Sequence, residues 1–188
     1  DNKNHREMAK IIHNSGKRLN ETLNSILDLS KIESQKLDLK ISSIDLITMI
    51  KECKYVFSDS VNKKGLKFNI LYDQEKVFIK SDQNIVHKIL CSIIDNAVKY
   101  TNEGSVTINI TENDKNAIIK VTDTGIGIPK ENLNQIFEPF RQGSEGLNRK
   151  FEGMGLGLTI TKKYVEILGG KLSIESEHGS GTAIEIIL

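Results

Sequence analysis

The chain has 188 residues, which is enough for one well-buried domain with an additional element. Acidic and basic residues nearly cancel at a formal net charge of +1, so the composition lacks the basic excess typical of proteins that bind nucleic acid or anionic membranes. No apolar run approaches the ~20 residues that a membrane span needs. We therefore expect this chain to contact neither nucleic acid nor a membrane.

The two cysteines, Cys53 and Cys91, lie singly in helical patterns and lack the spacing of a metal or redox motif. Two isolated cysteines of this kind favour a reduced, cytoplasmic setting. Because the chain begins at Asp1 rather than at a methionine, we expect it to be a piece of a longer protein. That longer protein can still be membrane-anchored through residues outside this chain.

The first predicted element is a long helix from about residue 8 to residue 37. Ile12, Leu19 and Ile26 recur every seven residues and form one apolar stripe, as in coiled coils. A single helix cannot bury such a stripe alone, so the pattern favours one arm of a helical bundle. The alternative is an ordinary helix that packs on its own domain.

The rest of the chain predicts a mixture of strands and helices without regular alternation. Predicted strands cover residues 44–46, 66–72, 77–79, 106–111, 117–121, 172–176 and 182–188, and predicted helices cover residues 47–61, 82–98 and 155–168. The fourth and fifth strands form a hairpin, and the last two strands form another pair. We therefore expect an α+β fold, a two-layer α/β sandwich in which helices cover one face of a mixed sheet.

Asp123 ends a predicted strand and is followed by Gly125 and Gly127. An ionised carboxylate at this point can accept a hydrogen bond from the exocyclic amino group of adenine. Guanine presents a carbonyl there, and two acceptors would then face each other unpaired. The glycines allow the backbone to lie close against a purine. The alternative is a plain Asp-Thr-Gly turn after an edge strand.

Asn96, Lys99 and Tyr100 lie on the helix that Asp82 is predicted to cap. The side-chain amide oxygen of Asn96 suits a Mg²⁺ ion that keeps most of its waters and bridges nucleotide phosphates. Lys99 can meet phosphate charge, and Tyr100 offers an aromatic face to a base. The alternatives are an exposed asparagine, a solvated lysine and a half-buried tyrosine.

Gly153, Gly155 and Gly157 open the predicted helix at residues 155–168. Their backbone amides can point at phosphate, where the helix dipole also favours negative charge. The spacing differs from the dinucleotide-binding fingerprint, and no strand directly precedes it.

The segment before these glycines contains small residues and three cations, Arg141, Arg149 and Lys150. Such a segment can close over phosphates as a lid. The alternative is a disordered surface loop.

Four segments, 96–100, 123–127, 137–140 and 153–158, together resemble the catalytic and ATP-binding domain of sensor histidine kinases. That family belongs to the GHKL group, which has the Bergerat-type ATP-binding fold. The resemblance implies that ATP and Mg²⁺ are the cofactors and that Asn96 binds the metal. It also implies that Phe137 and Phe140 anchor the start of the lid. The implied catalytic residues are Asn96, Lys99 and Arg141. The implied nucleotide-binding residues are Asn96, Lys99, Tyr100, Asp123, Gly125, Gly127, Phe140, Arg149, Lys150, Gly153, Gly155, Leu156, Gly157, Leu158 and Thr182.

The long first helix extends the resemblance, because residues 25–33 look like the second helix of the dimerisation and phosphotransfer domain. Residues 1–40 then form part of that domain, and residues 41–188 form the catalytic ATP-binding domain. The resemblance implies a homodimer through the helix bundle. It also implies transfer of the γ-phosphoryl of ATP to a histidine, and from there to an aspartate on the receiver domain of a response regulator.

The sequence departs from the family pattern at two points. Neither His5 nor His13 has the context of a phosphoacceptor histidine, so we expect the acceptor to lie outside this chain and the chain alone not to label itself. Ser92 stands where hydrolysing members of the GHKL group carry a glutamate, which predicts very slow hydrolysis. The alternatives are a GHKL ATPase and a non-catalytic ATP-binding dimerisation module.

Overall fold

A computed structural model of the chain describes residues 2–34, 37–113, 116–141 and 155–188. The chain divides into two compact units, Asp1–Leu37 and Asp38–Leu188. Within the described residues, no helix combines the length and the apolar character that a membrane span requires.

The first unit is formed by helix α1 (Asn2–Glu33). This helix both begins and ends earlier than predicted. It begins earlier because the polar residues at its start contain no helix breaker. The predicted apolar stripe lies on its surface: Ile12 is 72% exposed, Leu19 61% and Ile26 43%. Leu23 on the same stripe is also exposed.

In its described residues, the second unit contains three helices and seven strands, with a short 3₁₀ turn at Lys130–Asn132. In chain order the elements are β1 (Ile41–Asp45), α2 (Leu46–Lys64), β2 (Lys67–Tyr72), β3 (Phe78–Asp82), α3 (Gln83–Tyr100), β4 (Ser105–Glu112), β5 (Ala117–Asp123), α4 (Gly157–Ile167), β6 (Lys171–Glu177) and β7 (Gly181–Ile187).

Five of the strands form one mixed sheet in the order β2-β4-β5-β7-β6. Strands β2 and β4 run parallel, and every other neighbouring pair in this sheet is antiparallel. Strands β1 and β3 form a separate antiparallel pair. The predicted β4–β5 hairpin and the final β6–β7 pair are confirmed.

Helix α3 lies between α2 and α4 and packs on β5. Alternate residues of β4 and β5 and the apolar face of α3 form the core, with Ile89, Ile93, Ile108 and Ile119 at most 1% exposed. This period of two on the strands buries one face of the sheet under the helices. The predicted α+β two-layer sandwich is confirmed.

Asp82 is the N-cap of α3, as predicted. Its Oδ1 atom accepts hydrogen bonds from the backbone N–H groups of Asn84 at 3.0 Å and Ile85 at 3.1 Å. Its Oδ2 atom accepts from the N–H group of Lys40 at 2.7 Å. Burial raises the pKa of Asp82, but the three backbone hydrogen bonds outweigh it, and the pKa lies below its usual value.

Helix α4 begins at Gly157, two residues later than predicted. Gly155 has a φ of +70°, in the left-handed region, and a residue in that conformation cannot belong to a right-handed helix. Gly155 therefore lies before the helix, and Gly157 is its first residue.

Candidate functional site

Asp123 lies at the end of β5, where its side chain is buried and hydrogen-bonded to the following turn. Its Oδ1 atom accepts a hydrogen bond from the N–H group of Gly125 at 2.8 Å. Burial raises the pKa of Asp123, while hydrogen bonds from the backbones of Gly125 and Thr182 and from the side chain of Thr101 partly lower it again. A carboxylate removed from water in this way gains from any further donor that a ligand brings.

Thr182 is the partner of Asp123 across strands β5 and β7. Its Oγ1 atom lies 2.9 Å from the Oγ atom of Ser176, which donates to the Gly181 carbonyl at 2.8 Å and accepts from the Ile128 N–H group at 2.8 Å. A hydroxyl has one proton, so Thr182 donates to Ser176 and keeps lone pairs for other donors. Ser176 was not identified from the sequence, since one serine in an alternating strand carries no local signal.

Gly125 and Gly127 lie in a turn that leaves no space for side chains. A Cβ atom at Gly125 would collide with the carbonyl oxygen of Tyr100, and one at Gly127 would collide with the carbonyl oxygen of Glu177. Gly127 also has a φ of +63°, which side-chain-bearing residues rarely adopt. The turn is thus held between the end of α3 and the β6–β7 hairpin.

The predicted residues Asn96, Lys99 and Tyr100 lie in the last turns of α3, and all three are partly exposed. The N–H group of Ile126 donates to the carbonyl oxygen of Tyr100 at 3.2 Å, which joins this helix end to the Asp123 turn. The Nζ atom of Lys99 lies 5.0 Å from the centre of the Tyr100 ring, at cation–π distance. The structure therefore brings the first two predicted segments together.

Lys64, at the end of α2, holds the carboxyl end of α3. Its Nζ atom donates to the carbonyl oxygens of Val98 at 2.7 Å, Lys99 at 2.8 Å and Thr101 at 3.0 Å. These carbonyls are among those that a helix end leaves without intrahelical partners. Sequence reasoning missed Lys64, because its role depends on the packing of α2 against α3.

Phe140 and Arg141 end the described residues before the predicted lid. Phe140 is exposed and has a φ of +65°, an uncommon conformation for a large side chain. The Nε atom of Arg141 pairs with the Glu138 carboxylate at 3.1 Å, and its Nη1 atom donates to Gln135 at 3.3 Å. A Cβ atom at Gly155 would collide with the Arg141 carbonyl oxygen, so the backbones of Gly155 and Arg141 lie close together.

Three predicted site residues, Arg149, Lys150 and Gly153, lie outside the described residues. Leu156 is buried, Leu158 is partly buried, and Gly157 is exposed at the first position of α4. No side chain caps this end of α4 within the described part of the chain. The first amides of a helix have no intrahelical partners, and the start of a helix favours an anion.

Thr159, in the first turn of α4, was missed by sequence reasoning. Its side chain is 4% exposed, and its Oγ1 atom has no hydrogen-bond partner among the residues that the structure describes. A buried hydroxyl without a partner is unfavourable, and a bound oxyanion would accept its proton. Threonine is common in helices, so nothing in the sequence distinguished it.

These features fit an adenine nucleotide. The base would meet the buried carboxylate of Asp123 and the turn at Gly125, and the phosphates would meet Lys99 and the start of α4. The amide oxygen of Asn96 is a hard ligand, and it suits Mg²⁺, which takes few ligands from the protein.

Comparison with known proteins indicates the same class of protein as the sequence and the site. Residues 81–188, more than half of the chain, match the family described as "Histidine kinase-, DNA gyrase B-, and HSP90-like ATPase". The chain belongs to this family, and its ATP-binding module is the one predicted from the sequence.

Among curated proteins, the chain is 36% identical over its whole length to the autoinducer 2 sensor kinase/phosphatase LuxQ of Vibrio cholerae. It is 35% identical over 96% of its length to the circadian input-output histidine kinase CikA of Synechococcus elongatus. It spans 22% and 24% of these two proteins, respectively. The resemblance to the catalytic domain of sensor histidine kinases is therefore confirmed.

Among solved structures, the chain is similar to the histidine kinase ThkA in complex with the response regulator protein TrrA. The TM-score is 0.75 at 25% identity, over 95% of this chain and 49% of the other.

Proposed function

We propose that this chain is the kinase core of an enzyme that transfers the γ-phosphoryl group of ATP to a histidine outside residues 1–188. The phosphoryl group then passes to an aspartate on the receiver domain of a response regulator. The curated relatives, which are named as sensor kinases, support this assignment, as does the ThkA complex with its response regulator. The observation that carries it is the buried Asp123 carboxylate against the Gly125 turn.

In this proposal, adenine is recognised by Asp123 and Thr182. The carboxylate accepts from the exocyclic amino group of adenine, and the Thr182 hydroxyl, already donating to Ser176, accepts from a donor or a bridging water. Guanine is rejected because its carbonyl would face the carboxylate. At Gly125 a side chain would collide with the carbonyl oxygen of Tyr100, so glycine allows the turn to lie beside the Asp123 carboxylate.

Phosphate positioning falls to the end of α3 and the start of α4. Asn96 would hold Mg²⁺, and the bound ion would neutralise phosphate charge. Lys99, the hydroxyl of Thr159 and the uncapped amides of α4 orient the phosphates. Arg141 would add positive charge near the γ-phosphoryl, whereas the same role for Arg149 and Lys150 remains an expectation from the sequence, because both lie outside the described residues. In phosphoryl transfer, positioning and charge neutralisation account for most of the catalysis.

In this proposal, dimerisation occurs through α1. Its exposed stripe of Ile12, Leu19, Leu23 and Ile26 needs other helices to cover it, and a second copy of the bundle supplies them. We propose that the intact protein is a homodimer through this region, and that residues 1–40 contribute the second helix of each hairpin.

A transfer assay tests this function against its alternatives. The chain is incubated with Mg²⁺, ATP labelled on the γ-phosphate and a separately produced dimeric domain that carries the acceptor histidine of the same protein. We expect label on that domain only when the chain and Mg²⁺ are both present. Binding without transfer would indicate a non-catalytic module, and rapid phosphate release would indicate an ATPase.

A further inference from the structure

Helices α2 and α3 bring both cysteines of the chain together with a histidine. The Sγ atoms of Cys53 and Cys91 lie 3.7 Å apart. The Sγ atom of Cys91 lies 3.7 Å from Nε2 and 3.8 Å from Nδ1 of His87. One donor atom from each residue lies within 4.8 Å of the other two. The two cysteines lack the sequence spacing of a metal motif, yet helix packing brings them together across a gap of 38 positions.

These separations are close to those of a tetrahedral metal site. With Zn–S bonds of about 2.3 Å and Zn–N bonds of about 2.05 Å, tetrahedral angles place two sulfurs about 3.8 Å apart and a sulfur and a nitrogen about 3.6 Å apart. The observed Cys53–Cys91 and Cys91–His87 distances lie close to these values. The Cys53–His87 pair lies within 4.8 Å, and coordination would require a rotation of the His87 ring that directs one nitrogen to the shared centre.

The three side chains are also presented from rigid elements. His87 and Cys91 are separated by one helical turn and therefore share a face of α3. Cys53 projects from α2 and is 0% exposed, whereas His87 and Cys91 are partly exposed. An ion can thus reach the donors from the α3 side, where His87 and Cys91 are partly exposed.

We propose that Cys53, His87 and Cys91 form a binding site for Zn²⁺ or a similar thiophilic cation, with water as the fourth ligand. Thiolate and imidazole donors select such ions over Mg²⁺, which prefers oxygen, so the site is chemically distinct from that of Asn96. Binding releases the two thiol protons to solvent and leaves two thiolates on the metal. The ion then joins α2 to the helix that carries Asn96, Lys99 and Tyr100.

Cobalt provides the most specific probe, because its thiolate bonds give a charge-transfer absorption. The chain contains no other cysteines, so this absorption reports on Cys53 and Cys91 alone. Reduced, chelator-stripped chain of residues 1–188 is titrated with Co²⁺ in excess Mg²⁺. We expect one Co²⁺ per chain, with the visible bands of tetrahedral cobalt and with displacement by Zn²⁺.

Variants test the ligand set. We expect Cys91→Ser to remove most of the charge-transfer absorption. Loss of a residue that hydrogen-bonds to a metal ligand weakens metal binding by about 10- to 100-fold, so loss of a direct ligand in His87→Gln should weaken Zn²⁺ binding at least ~10-fold. His178→Gln is the matched control, because His178 is exposed in the β6–β7 turn, and its affinity should equal that of wild type. Circular dichroism establishes that each variant is folded.

Three results would overturn the proposal: no charge-transfer band in the reduced wild type, a stoichiometry other than one, or an unchanged Zn²⁺ affinity in folded His87→Gln. Formation of a Cys53–Cys91 disulfide in air, with no metal uptake by the reduced protein, would instead identify a redox pair. Because ATP binding is not part of the readout, failure here leaves the kinase assignment intact.

Discussion

The Oγ1 atom of Thr161 on α4 donates a hydrogen bond to the Oγ atom of Ser92 on α3 at 2.9 Å. Ser92 lies one turn before Asn96, the proposed Mg²⁺ ligand. The resemblance to the GHKL group places a water-activating glutamate at this position in the hydrolysing members. Here the position holds a hydroxyl that already links two helices, and a neutral serine cannot serve as a general base.

We therefore predict very slow ATP hydrolysis by the wild-type chain and faster hydrolysis by Ser92→Glu. The carboxylate would stand where it can take a proton from the attacking water. Ser92→Gln is the matched control, since it has the same shape without the base, and its rate should stay at the wild-type level. Phosphate release measures all three; a rate in Ser92→Gln equal to that in Ser92→Glu would attribute the effect to the lost Thr161 bond.

A second prediction concerns nucleotide choice. Asp123→Ala should lose about 1.5–3 kcal/mol of ATP binding, because a hydrogen bond to a charged group is lost. That corresponds to roughly 10- to 150-fold in Kd. Wild type should not bind GTP. Titration calorimetry with Asp73→Ala, at an exposed turn residue, provides the control; equal ATP affinity in Asp123→Ala and wild type would refute the role of Asp123.

A third prediction follows from the raised pKa of Asp123. Its folded pKa exceeds the unfolded value of 3.8, so its contribution to stability is present at acidic pH and is lost as the pH rises through the folded pKa. Above the folded pKa the nucleotide-free chain carries a buried charge. Asp123→Asn removes that charge and should raise Tm; in a chain of this size, about 1 kcal/mol gives about 2–4 °C.

The same variant should bind ATP more weakly, so stability and binding should change in opposite directions. Thermal melting with and without ATP separates the two effects. A lower Tm for Asp123→Asn without nucleotide would show that the carboxylate stabilises the fold rather than serving the ligand.

A fourth prediction concerns the cap of α3. Asp82→Ala leaves the backbone donors of Lys40, Asn84 and Ile85 without their acceptor and should cost about 0.5–2 kcal/mol. Because the pKa of Asp82 is lowered, this stabilisation is present above pH 3.8 and is lost as the pH falls through the folded pKa. Urea unfolding near neutral pH measures the cost.

Asp59→Ala, at an exposed position of α2, is the control for the cap. It should change the free energy of unfolding by no more than ~0.5 kcal/mol. A similar loss of unfolding free energy in Asp82→Ala and Asp59→Ala would mean that the Asp82 cap has no specific stabilising effect.

Local sequence patterns were sufficient to predict much of this fold. The β4–β5 hairpin and the Asp82 cap depend on neighbouring residues, so alternation and capping rules predicted them. Lys64 and Thr159 were missed, because a helix-end partner and a buried hydroxyl become visible only once helices are packed. The Cys53–Cys91 contact was missed for the same reason, since spacing rules for metal sites assume ligands close in sequence.

Predictions from the resemblance succeeded for the class of protein and placed Asp123 beside Gly125 and Thr182. They could not foresee the ion pair of Arg141 with Glu138, which depends on the local turn. For Arg141, a role over the γ-phosphoryl requires that this exposed pair be exchanged for phosphate, and exposed pairs of this kind are weak.

The most direct test of the kinase assignment is the position of the transferred phosphoryl group. The chain of residues 1–188, and the same chain preceded by its natural upstream residues, are each incubated with Mg²⁺ and γ-labelled ATP. Acid-labile label is then mapped by mass spectrometry. We predict ATP binding by both proteins, with label confined to a histidine of the upstream residues in the longer one. Stable label on His5 or His13 of the 188-residue chain would contradict the account.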